Sequence, residues 1–240
     1  MSLLSVSGVT KRFGGITANK GISFEVATGE LVGIIGPNGA GKSTLFECIS
    51  GFYRPDEGEV RLDGERLNGL SPDVVCRRGI ARTFQKLRPF SGMTVLENVM
   101  VGALTRTKDV RQAREQSREW LSRVGLAEKV DAYASTLSTG QRKRLELART
   151  LATRPRVLLL DEVTGGVDQR SIPGLVQLVR DLHADGLTLL VVEHNMRVIS
   201  ALSQRLIALY LGEVIADGAP DVVARDPKVV KAYLGQAYVQ

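Results

Sequence analysis

Nine residues near the start of the chain have the types and the spacing that bind phosphate. The stretch at 36–44 fits the pattern of a glycine, four residues, and then Gly-Lys-Ser/Thr. Phosphate oxygens need many donors at close range, and glycines let backbone N–H groups turn inward toward them. We therefore predict a nucleotide site, called the phosphate loop below, that is built from Gly36, Pro37, Asn38, Gly39, Ala40, Gly41, Lys42, Ser43 and Thr44.

Two side chains of the phosphate loop carry distinct chemistry. Lys42 is expected to reach the β- and γ-phosphates, and the hydroxyl of Ser43 is expected to bind Mg²⁺. The alternative is a glycine-rich turn that caps a helix and binds no ligand. The motifs further along the chain favour the nucleotide site.

Two acids follow a short apolar strand predicted at 157–160. Asp161 would be held on a rigid strand end, as a carboxylate that binds Mg²⁺ directly or through a water. Glu162, beside the metal and the γ-phosphate, is expected to act as the general base that deprotonates the attacking water. Two solvated acids at a strand end are the alternative, which the phosphate loop upstream disfavours.

A second anion site is predicted where small residues begin a helix. Ser138, Thr139 and Gly140 precede a helix with one apolar face, and a helix N-terminus favours anions. One chain has no obvious second nucleotide to place there. We therefore expect this segment to meet the γ-phosphate of an ATP that is bound to a partner subunit.

The elements around these motifs predict an α/β fold with a parallel sheet. Strands at 31–35, 157–160 and 188–192 alternate with helical patterns, and their continuous apolar runs are typical of strands buried on both faces. Ligands of such sheets bind at the carboxyl ends of the strands, where Gly36, Asp161 and His194 fall. A hairpin at 206–216 and a short helix at 228–234 would complete this part.

Two further parts are predicted beside this nucleotide-binding core. Strands at 3–9, 22–26 and 60–62 form an N-terminal antiparallel β subdomain, with Phe13 in the turn between the first two. Helical patterns follow between 71 and 130, and one helix carries arginines at 111, 114, 118 and 123 opposite its apolar face. We expect a single domain over 1–240, with the core and β subdomain at 1–84 and 139–240 and an inserted helical subdomain at 85–138.

Composition restricts the class of protein. The 240 residues are 43% hydrophobic and 24% charged, and no apolar stretch approaches the roughly 20 residues that span a bilayer. The N-terminus has no pattern of a secretory signal, so a cytosolic address is expected. Cys48 and Cys76 lack metal-ligand spacing and are expected to be unpaired. The net charge of +6 fits nucleic acid, an anionic membrane face, an acidic partner or a solvated surface.

The whole motif set, in this order, resembles the ATPase subunit of ABC transporters. The resemblance covers nearly the whole chain and implies ATP and Mg²⁺ as ligands. It implies that Gln85 contacts the metal and the attacking water and links the site to a transmembrane partner. It also implies that His194 contacts the γ-phosphate, that Phe13 stacks on adenine, and that Asp168 lies in a loop that crosses the interface with a second ATPase subunit. The residues that would hold that partner's γ-phosphate are Ser138, Gly140 and Gln141.

Four stretches, at 13–16, 81–85, 93–99 and 232–235, resemble the branched-chain amino-acid importers within that family. That branch pairs two different ATPase subunits with two permeases and an extracytoplasmic solute-binding protein. The resemblance implies a cytoplasmic subunit on the inner face of the cell membrane, with no nucleic-acid partner. The short segment between Gln85 and Leu137 also resembles the lipopolysaccharide-export ATPase, so both kinds of cargo stay open, as do a homodimer and a heterodimer of ATPase subunits.

Three features depart from the family pattern. Thr139 stands where the signature usually has glycine, Val163 replaces the proline after the catalytic glutamate, and the interface loop at 165–168 is unusual. We expect the chemistry to survive because the phosphate loop, Asp161, Glu162 and His194 are all present. Two alternatives stay open: a soluble ATPase that acts on nucleic acid or the ribosome, and a structural module whose sister subunit hydrolyses ATP.

Overall fold

The computed structural model describes residues 2–84 and 88–237, and a six-stranded sheet forms its centre. The strands lie in the order β10 (Glu213–Gly218), β9 (Arg205–Tyr210), β3 (Leu31–Ile35), β8 (Thr188–Val192), β7 (Val157–Asp161) and β6 (Ile80–Arg82). Neighbouring strands are parallel except β10, which is antiparallel to β9. Every residue of β3, β7 and β8 is buried, which is typical of parallel strands covered on both faces. The predicted parallel sheet is confirmed.

The strand order brings the predicted chemistry to one edge of the sheet. Strands β3, β8 and β7 are immediate neighbours and run in the same direction. The phosphate loop follows β3, Asp161 ends β7, and His194 comes two residues after the end of β8. Residues that are more than 100 positions apart in the sequence therefore lie side by side.

Strand β6 lies within the stretch from 71 to 130, for which the sequence predicts helical patterns. It has only three residues, and its pairing with β7, Ile80 opposite Val157, depends on tertiary structure rather than on a local pattern. Strand β6 extends the parallel sheet by one strand and leads toward Gln85. Gln85 itself lies outside the residues that the structure describes.

An antiparallel sheet of four strands packs beside the central one. Its order is β2 (Ile16–Ala27), β1 (Ser2–Phe13), β4 (Glu57–Leu62) and β5 (Glu65–Arg66). The inward side chains of β1, β2 and β4 share a core with helix α1 (Lys42–Ile49), in which Leu45, Phe46 and Ile49 are completely buried. The predicted β subdomain is confirmed, with strands longer than the apolar pattern indicated.

Eight further helices cover the sheets and the region between them. They are α2 (Pro72–Arg78), α3 (Val95–Ala103), α4 (Val110–Arg123), α5 (Thr139–Leu151), α6 (Ile172–Ala184), α7 (Met196–Leu202), α8 (Pro220–Arg225) and α9 (Pro227–Ala237) in the described part of the chain. None of the helices in that part has both the length and the hydropathy that crossing a bilayer requires.

Helices α3, α4 and α5 pack against one another. On α4 the side chains of Ala113 and Leu121 are buried, and the four arginines predicted on the opposite face are exposed. The division of the chain into subdomains at 85 and 138 stays a prediction, although α5 begins next to the second of these boundaries.

The two cysteines are unpaired, as predicted. Cys48 is buried in α1, and this burial raises the pKa of its thiol to about 12. Cys76 is half-buried in α2. A thiol with so high a pKa is almost entirely protonated near neutral pH and is a poor nucleophile, so Cys48 has a packing role.

Candidate functional site

The phosphate loop ends on a helix N-terminus that carries no side-chain cap. Gly41 precedes α1 with a φ of 100°, and no acidic side chain lies in the first turn. A Cβ atom at Gly41 would lie 2.3 Å from the backbone oxygen of Ala18, so only glycine fits there. The first N–H groups of a helix have no partner within the helix, and together with the helix dipole they attract anions.

The ammonium group of Lys42 lies folded back on the phosphate loop. Its Nζ donates to the carbonyl oxygens of Gly36 and Pro37, at 2.6 Å and 2.9 Å. Lys42 is buried, and burial lowers the pKa of its ammonium group, an effect that the charges of Glu162 and Asp161 oppose. The structure thus holds a buried cation at the bottom of a loop whose backbone suits an anion.

A cavity of about 570 Å³ opens beside the phosphate loop. Residues 38–44 form one wall, and Glu162 and His194 form part of another. Nε2 of His194 lies 2.7 Å from Oε1 of Glu162, so the structure brings these two predicted residues into contact. A polyphosphate in this cavity would meet helix N–H groups on one side and a carboxylate with its histidine on the other.

The backbone of Glu162 adopts a conformation that is uncommon for any residue except glycine. Its φ is 53°, in the left-handed region. Two hydrogen bonds hold it there, since its N–H donates to Val192 at 2.9 Å and its carbonyl accepts from Nζ of Lys143 at 2.7 Å. Strained backbone that is fixed by its surroundings is typical of functional sites.

Two oxygen-bearing side chains fit the predicted magnesium site. Asp161 ends β7 with 2% of its surface exposed, and Ser43 is the second residue of α1, directly after Lys42. Both line one groove on the side of the sheet that faces α2 and α3. Carboxylate and hydroxyl oxygens are ligands that suit Mg²⁺, so the residues present fit this ion.

Arg82 is a member of this site that the sequence reasoning missed. Its Nη2 donates to Oδ2 of Asp161 at 2.8 Å, and the two side chains are 7% and 2% exposed. The guanidinium also lies over the rings of Phe46 and Phe84, at 5.7 Å and 5.5 Å from their centroids. Arg82 falls within the stretch at 81–85 that carried the family resemblance, and that position was the available signal.

We expect Arg82→Leu to lower the free energy of unfolding by about 3–5 kcal/mol, because a buried carboxylate would lose its charged partner. Urea unfolding measures this change. The matched control is Arg12→Leu, which breaks the exposed ion pair between Arg12 and Glu57, and its expected cost is about 1 kcal/mol or less. Equal losses in the two variants would contradict the idea that Arg82 neutralises Asp161.

Glu193 is the second missed residue, and it holds the loop that follows Glu162. Its Oε1 accepts from the backbone N–H of Thr164 at 2.7 Å and from the Thr164 hydroxyl at 2.9 Å. Glu193 is 3% exposed. An acid directly after a buried strand is the same signal that identified Asp161, so the sequence pattern contained this residue as well.

The predicted second anion site lies at the start of α5, where Ser138 and Gln141 cap the helix. Oγ of Ser138 accepts from the N–H of Gln141 at 3.3 Å, and Oε1 of Gln141 accepts from the N–H of Ser138 at 3.0 Å. Gly140 packs against Ser171, whose Cβ would be 3.3 Å from an added Cβ. None of these residues is among the described residues that line the cavity beside the phosphate loop.

Asp168 organises the loop before α6. Its Oδ2 accepts from the Ser171 hydroxyl at 2.8 Å, and its Oδ1 accepts from the N–H groups of Arg170 and Ser171, each at 3.1 Å. The hydrogen bond from the Ser171 hydroxyl is the main cause that lowers the pKa of the Asp168 carboxyl group. The carboxylate is therefore charged near neutral pH and exposed on the surface.

Phe13 ends β1 and faces a tyrosine. Its ring centroid lies 5.1 Å from that of Tyr53 in an edge-to-face contact, and Nζ of Lys11 is 5.4 Å from the Phe13 centroid. Phe13 is 42% exposed, and it is not among the described residues that line the cavity. The proposed stacking of Phe13 on adenine stays a prediction.

A phosphate loop between a central parallel strand and a helix, with acids at the end of a neighbouring strand, defines a P-loop nucleotide-hydrolysing protein. Comparison with known proteins narrows this class. The family model described as "ABC transporter" matches residues 19–165, and the model described as "Branched-chain amino acid ATP-binding cassette transporter" matches residues 213–239.

Curated relatives match over almost their whole length. The chain is 40% identical to the high-affinity branched-chain amino acid transport ATP-binding protein BraF of Pseudomonas aeruginosa, covering 98% of each chain. It is 38% identical to LivG of Escherichia coli, which carries the same description, again covering 98% of each. It is 35% identical to the lipopolysaccharide export system ATP-binding protein LptB of Haemophilus influenzae, covering 99% of each.

Solved structures of ATP-binding cassettes are similar to this chain over nearly its whole length. The ADP conformation of the ATP-binding cassette MJ1267 of an ABC transporter has a TM-score of 0.89 at 33% identity, covering 98% of this chain and 99% of that one. The dimeric cassette MJ0796 has a TM-score of 0.82 at 31% identity, covering 90% and 98%. The chain belongs to the ABC transporter family. It is an ATP-binding and ATP-hydrolysing subunit, which confirms the predicted family, fold class and activity.

Proposed function

We propose that this subunit powers the import of branched-chain amino acids or similar small polar solutes. The observation that supports hydrolysis by this chain is the cavity beside the phosphate loop, where Lys42, Glu162 and His194 surround one space. The observation that supports the cargo is the similarity to BraF and LivG at 38–40% identity over 98% of the chain. Export of a lipid is the second candidate, because LptB is 35% identical over 99% of the chain.

Binding of the triphosphate requires Lys42 to change partners. In the structure its ammonium group donates to the carbonyls of Gly36 and Pro37, and a phosphate above the loop would compete for the same donors. The exchange is favourable because a charge-assisted hydrogen bond to phosphate is stronger than one to a neutral carbonyl. The N–H groups at the start of α1 would bind the remaining oxygens.

Glu162 and His194 would act on the attacking water. The Glu162 carboxylate lines the cavity and could accept a proton from a water placed in line with the γ-phosphate. His194, 2.7 Å from that carboxylate, would fix its orientation. In this proposal Glu162 is the general base and His194 contacts the γ-phosphate.

Ser43 and Asp161 would hold the magnesium ion, with Gln85 as a third contact. The ion, when bound, neutralises charge on the β- and γ-phosphate oxygens. Arg82 would hold the Asp161 carboxylate in place through its hydrogen bond at 2.8 Å.

A second ATPase subunit would complete the site. The start of α5 at Ser138, Gly140 and Gln141 lies away from the cavity beside the phosphate loop, so in one chain these residues have no phosphate to bind. A two-fold arrangement would place them opposite the partner's cavity, with Asp168 at the interface. A dimeric cassette among the similar structures supports this arrangement, and the two subunits would be identical or different.

An apolar groove of about 800 Å³ would receive the permease. Its walls include three exposed aromatic side chains, Phe52, Phe84 and Phe90, which are 49%, 39% and 46% exposed. Arginines 88 and 149 line it too. Ser43 and Asp161 also line the groove, so a helix docked there would lie beside the residues proposed to bind magnesium. We assign it to a short cytoplasmic segment of the transmembrane subunit, and this chain would then lie on the inner face of the membrane.

The test is assembly and transport with candidate permeases. We expect Phe90→Asp to reduce co-purification with the permease by about tenfold or more, because a charge would enter an apolar contact. Binding of Mg-ATP should not change. Val110→Asp, at a side chain 56% exposed outside the groove, is the control. A Phe90→Asp variant that assembles normally would contradict the assignment of the groove.

Reconstitution identifies the cargo. Liposomes that contain the complex, its permeases and an extracytoplasmic binding protein should accumulate labelled leucine only when ATP is supplied. Extraction of lipopolysaccharide without leucine uptake would replace the import proposal by the lipid-export one. Salt-sensitive binding of RNA without any permease partner would instead favour a role outside transport.

A further inference from the structure

The last described helix returns to the phosphate loop. After the hairpin of β9 and β10 the chain continues through α8 and α9, and Tyr233 on α9 reaches the first residue of the loop. The backbone N–H of Gly36 donates to the Tyr233 hydroxyl at 2.8 Å, across 197 positions of sequence. The ring of Tyr233 is half-buried and packs against the larger hydrophobic core.

Strand β9 also restricts the position of Gly36. A Cβ atom there would lie 2.3 Å from the backbone oxygen of Leu209 in β9, so the loop begins in close contact with the neighbouring strand. The carbonyl of Gly36 accepts from the ammonium group of Lys42 at 2.6 Å. The two polar groups of this residue are therefore held by two side chains, the N–H by Tyr233 and the carbonyl by Lys42.

Binding of a triphosphate would affect the hydrogen bond to Lys42 and the hydrogen bond to Tyr233 differently. The proposed function requires Lys42 to leave the Gly36 carbonyl and bind phosphate, which removes one of the two attachments. The bond from the Gly36 N–H to Tyr233 belongs to the peptide before Gly36, whereas the carbonyl that Lys42 would leave belongs to the peptide after it, so the exchange at the carbonyl does not itself break this bond. It would then remain as the side-chain hydrogen bond that ties the start of the loop to α9.

We infer that Tyr233 is a positioning residue for nucleotide binding, whose hydroxyl fixes the first peptide of the phosphate loop so that affinity for Mg-ATP depends on the docking of α9. The inference rests on the proposed phosphate-binding role of the loop. Burial raises the pKa of the Tyr233 hydroxyl, so it stays neutral and keeps its proton throughout the physiological range. Because Tyr233 lies within residues 213–239, which match the branched-chain amino acid model, the segment that marks this branch would control the nucleotide site.

The test compares Tyr233→Phe with the unaltered full chain. Phenylalanine keeps the packed ring and removes only the hydroxyl, which leaves the Gly36 N–H without this acceptor. We expect the Kd for Mg²⁺ with a non-hydrolysable ATP analogue to rise about three- to tenfold, the effect of losing one hydrogen bond. The turnover number at saturating ATP should stay within about twofold, because the groups proposed to act on the water are unchanged.

Two further measurements separate positioning from simple stability. Amide hydrogen exchange at Gly36 should become faster in Tyr233→Phe, because that amide loses its partner. Tyr133→Phe removes the hydroxyl of a tyrosine that is 56% exposed, and it should leave the Kd unchanged. A bound water could replace the lost hydroxyl as the acceptor of the Gly36 N–H in Tyr233→Phe. In that case both the exchange rate at Gly36 and the Kd would be those of the unaltered chain, and this result would overturn the inference.

Other outcomes are equally decisive. An unchanged Kd in Tyr233→Phe overturns the inference while leaving the proposed function intact. A lower melting temperature with an unchanged Kd shows that Tyr233 only packs, which also overturns it. Failure of the unaltered chain to bind Mg-ATP would overturn the proposed function and this inference together.

Discussion

Glu162→Gln is expected to stop ATP turnover while it preserves Mg-ATP binding. Glutamine keeps the shape and can occupy the same backbone conformation, but it cannot accept a proton from water. A general base contributes about 10²- to 10⁴-fold to the rate, so phosphate release should fall by that factor. Release of inorganic phosphate at saturating ATP measures turnover, and equilibrium binding of labelled nucleotide measures affinity.

The control for this variant is Glu115→Gln, at an exposed glutamate of α4, which should hydrolyse ATP normally. Turnover by Glu162→Gln at the unaltered rate would show that Glu162 is not the general base, and His194 would then be the next candidate for that role. Loss of nucleotide binding in Glu162→Gln would instead mean that the carboxylate organises the cavity.

Lys42→Ala is expected to weaken Mg-ATP binding by about 10- to 100-fold, because hydrogen bonds to a charged group contribute about 1.5–3 kcal/mol. Turnover should fall further, by about 10²-fold or more, since the ammonium group would also stabilise charge that develops on the transferred phosphoryl group. Calorimetric titration with Mg-ATP gives the first value and steady-state phosphate release gives the second.

Lys42→Arg serves as the matched variant. It keeps the charge, but its planar guanidinium cannot occupy the position between the Gly36 and Pro37 carbonyls as an ammonium group does. We expect intermediate binding and turnover close to that of Lys42→Ala. If Lys42→Ala binds Mg-ATP as tightly as the unaltered chain, the phosphate loop is not the nucleotide site.

The sequence predicted those parts of the fold that local patterns determine. The apolar runs of β3, β7 and β8 were recognisable because strands buried on both faces need apolar side chains at nearly every position. The phosphate loop was recognisable because close approach to phosphate restricts its residue types. The rule that ligands bind at the carboxyl ends of parallel strands predicted that Gly36, Asp161 and His194 share one edge of the sheet.

The parts that the sequence did not predict depend on contacts across long separations. Strand β6 has three residues and exists because β7 supplies its partner. The pairing of Arg82 with Asp161 joins positions 79 residues apart, and the contact of Gly36 with Tyr233 joins positions 197 apart. No local pattern records such pairs, because the partners are chosen by packing. The sequence alone does not distinguish Arg82 or Tyr233 from other arginines and tyrosines, because their roles depend on partners that only the fold reveals.

Glu193 and His194 are consecutive residues with opposite attachments. The buried Glu193 holds Thr164, at the start of the loop that leads to the proposed subunit interface, and His194 contacts Glu162 inside the cavity. No flexible spacer separates the two, since both follow directly on a fully buried strand. A displacement of this dipeptide when phosphate leaves would therefore move the histidine at Glu162 and the loop toward the proposed interface together, and it would couple release of the product to separation of the subunits.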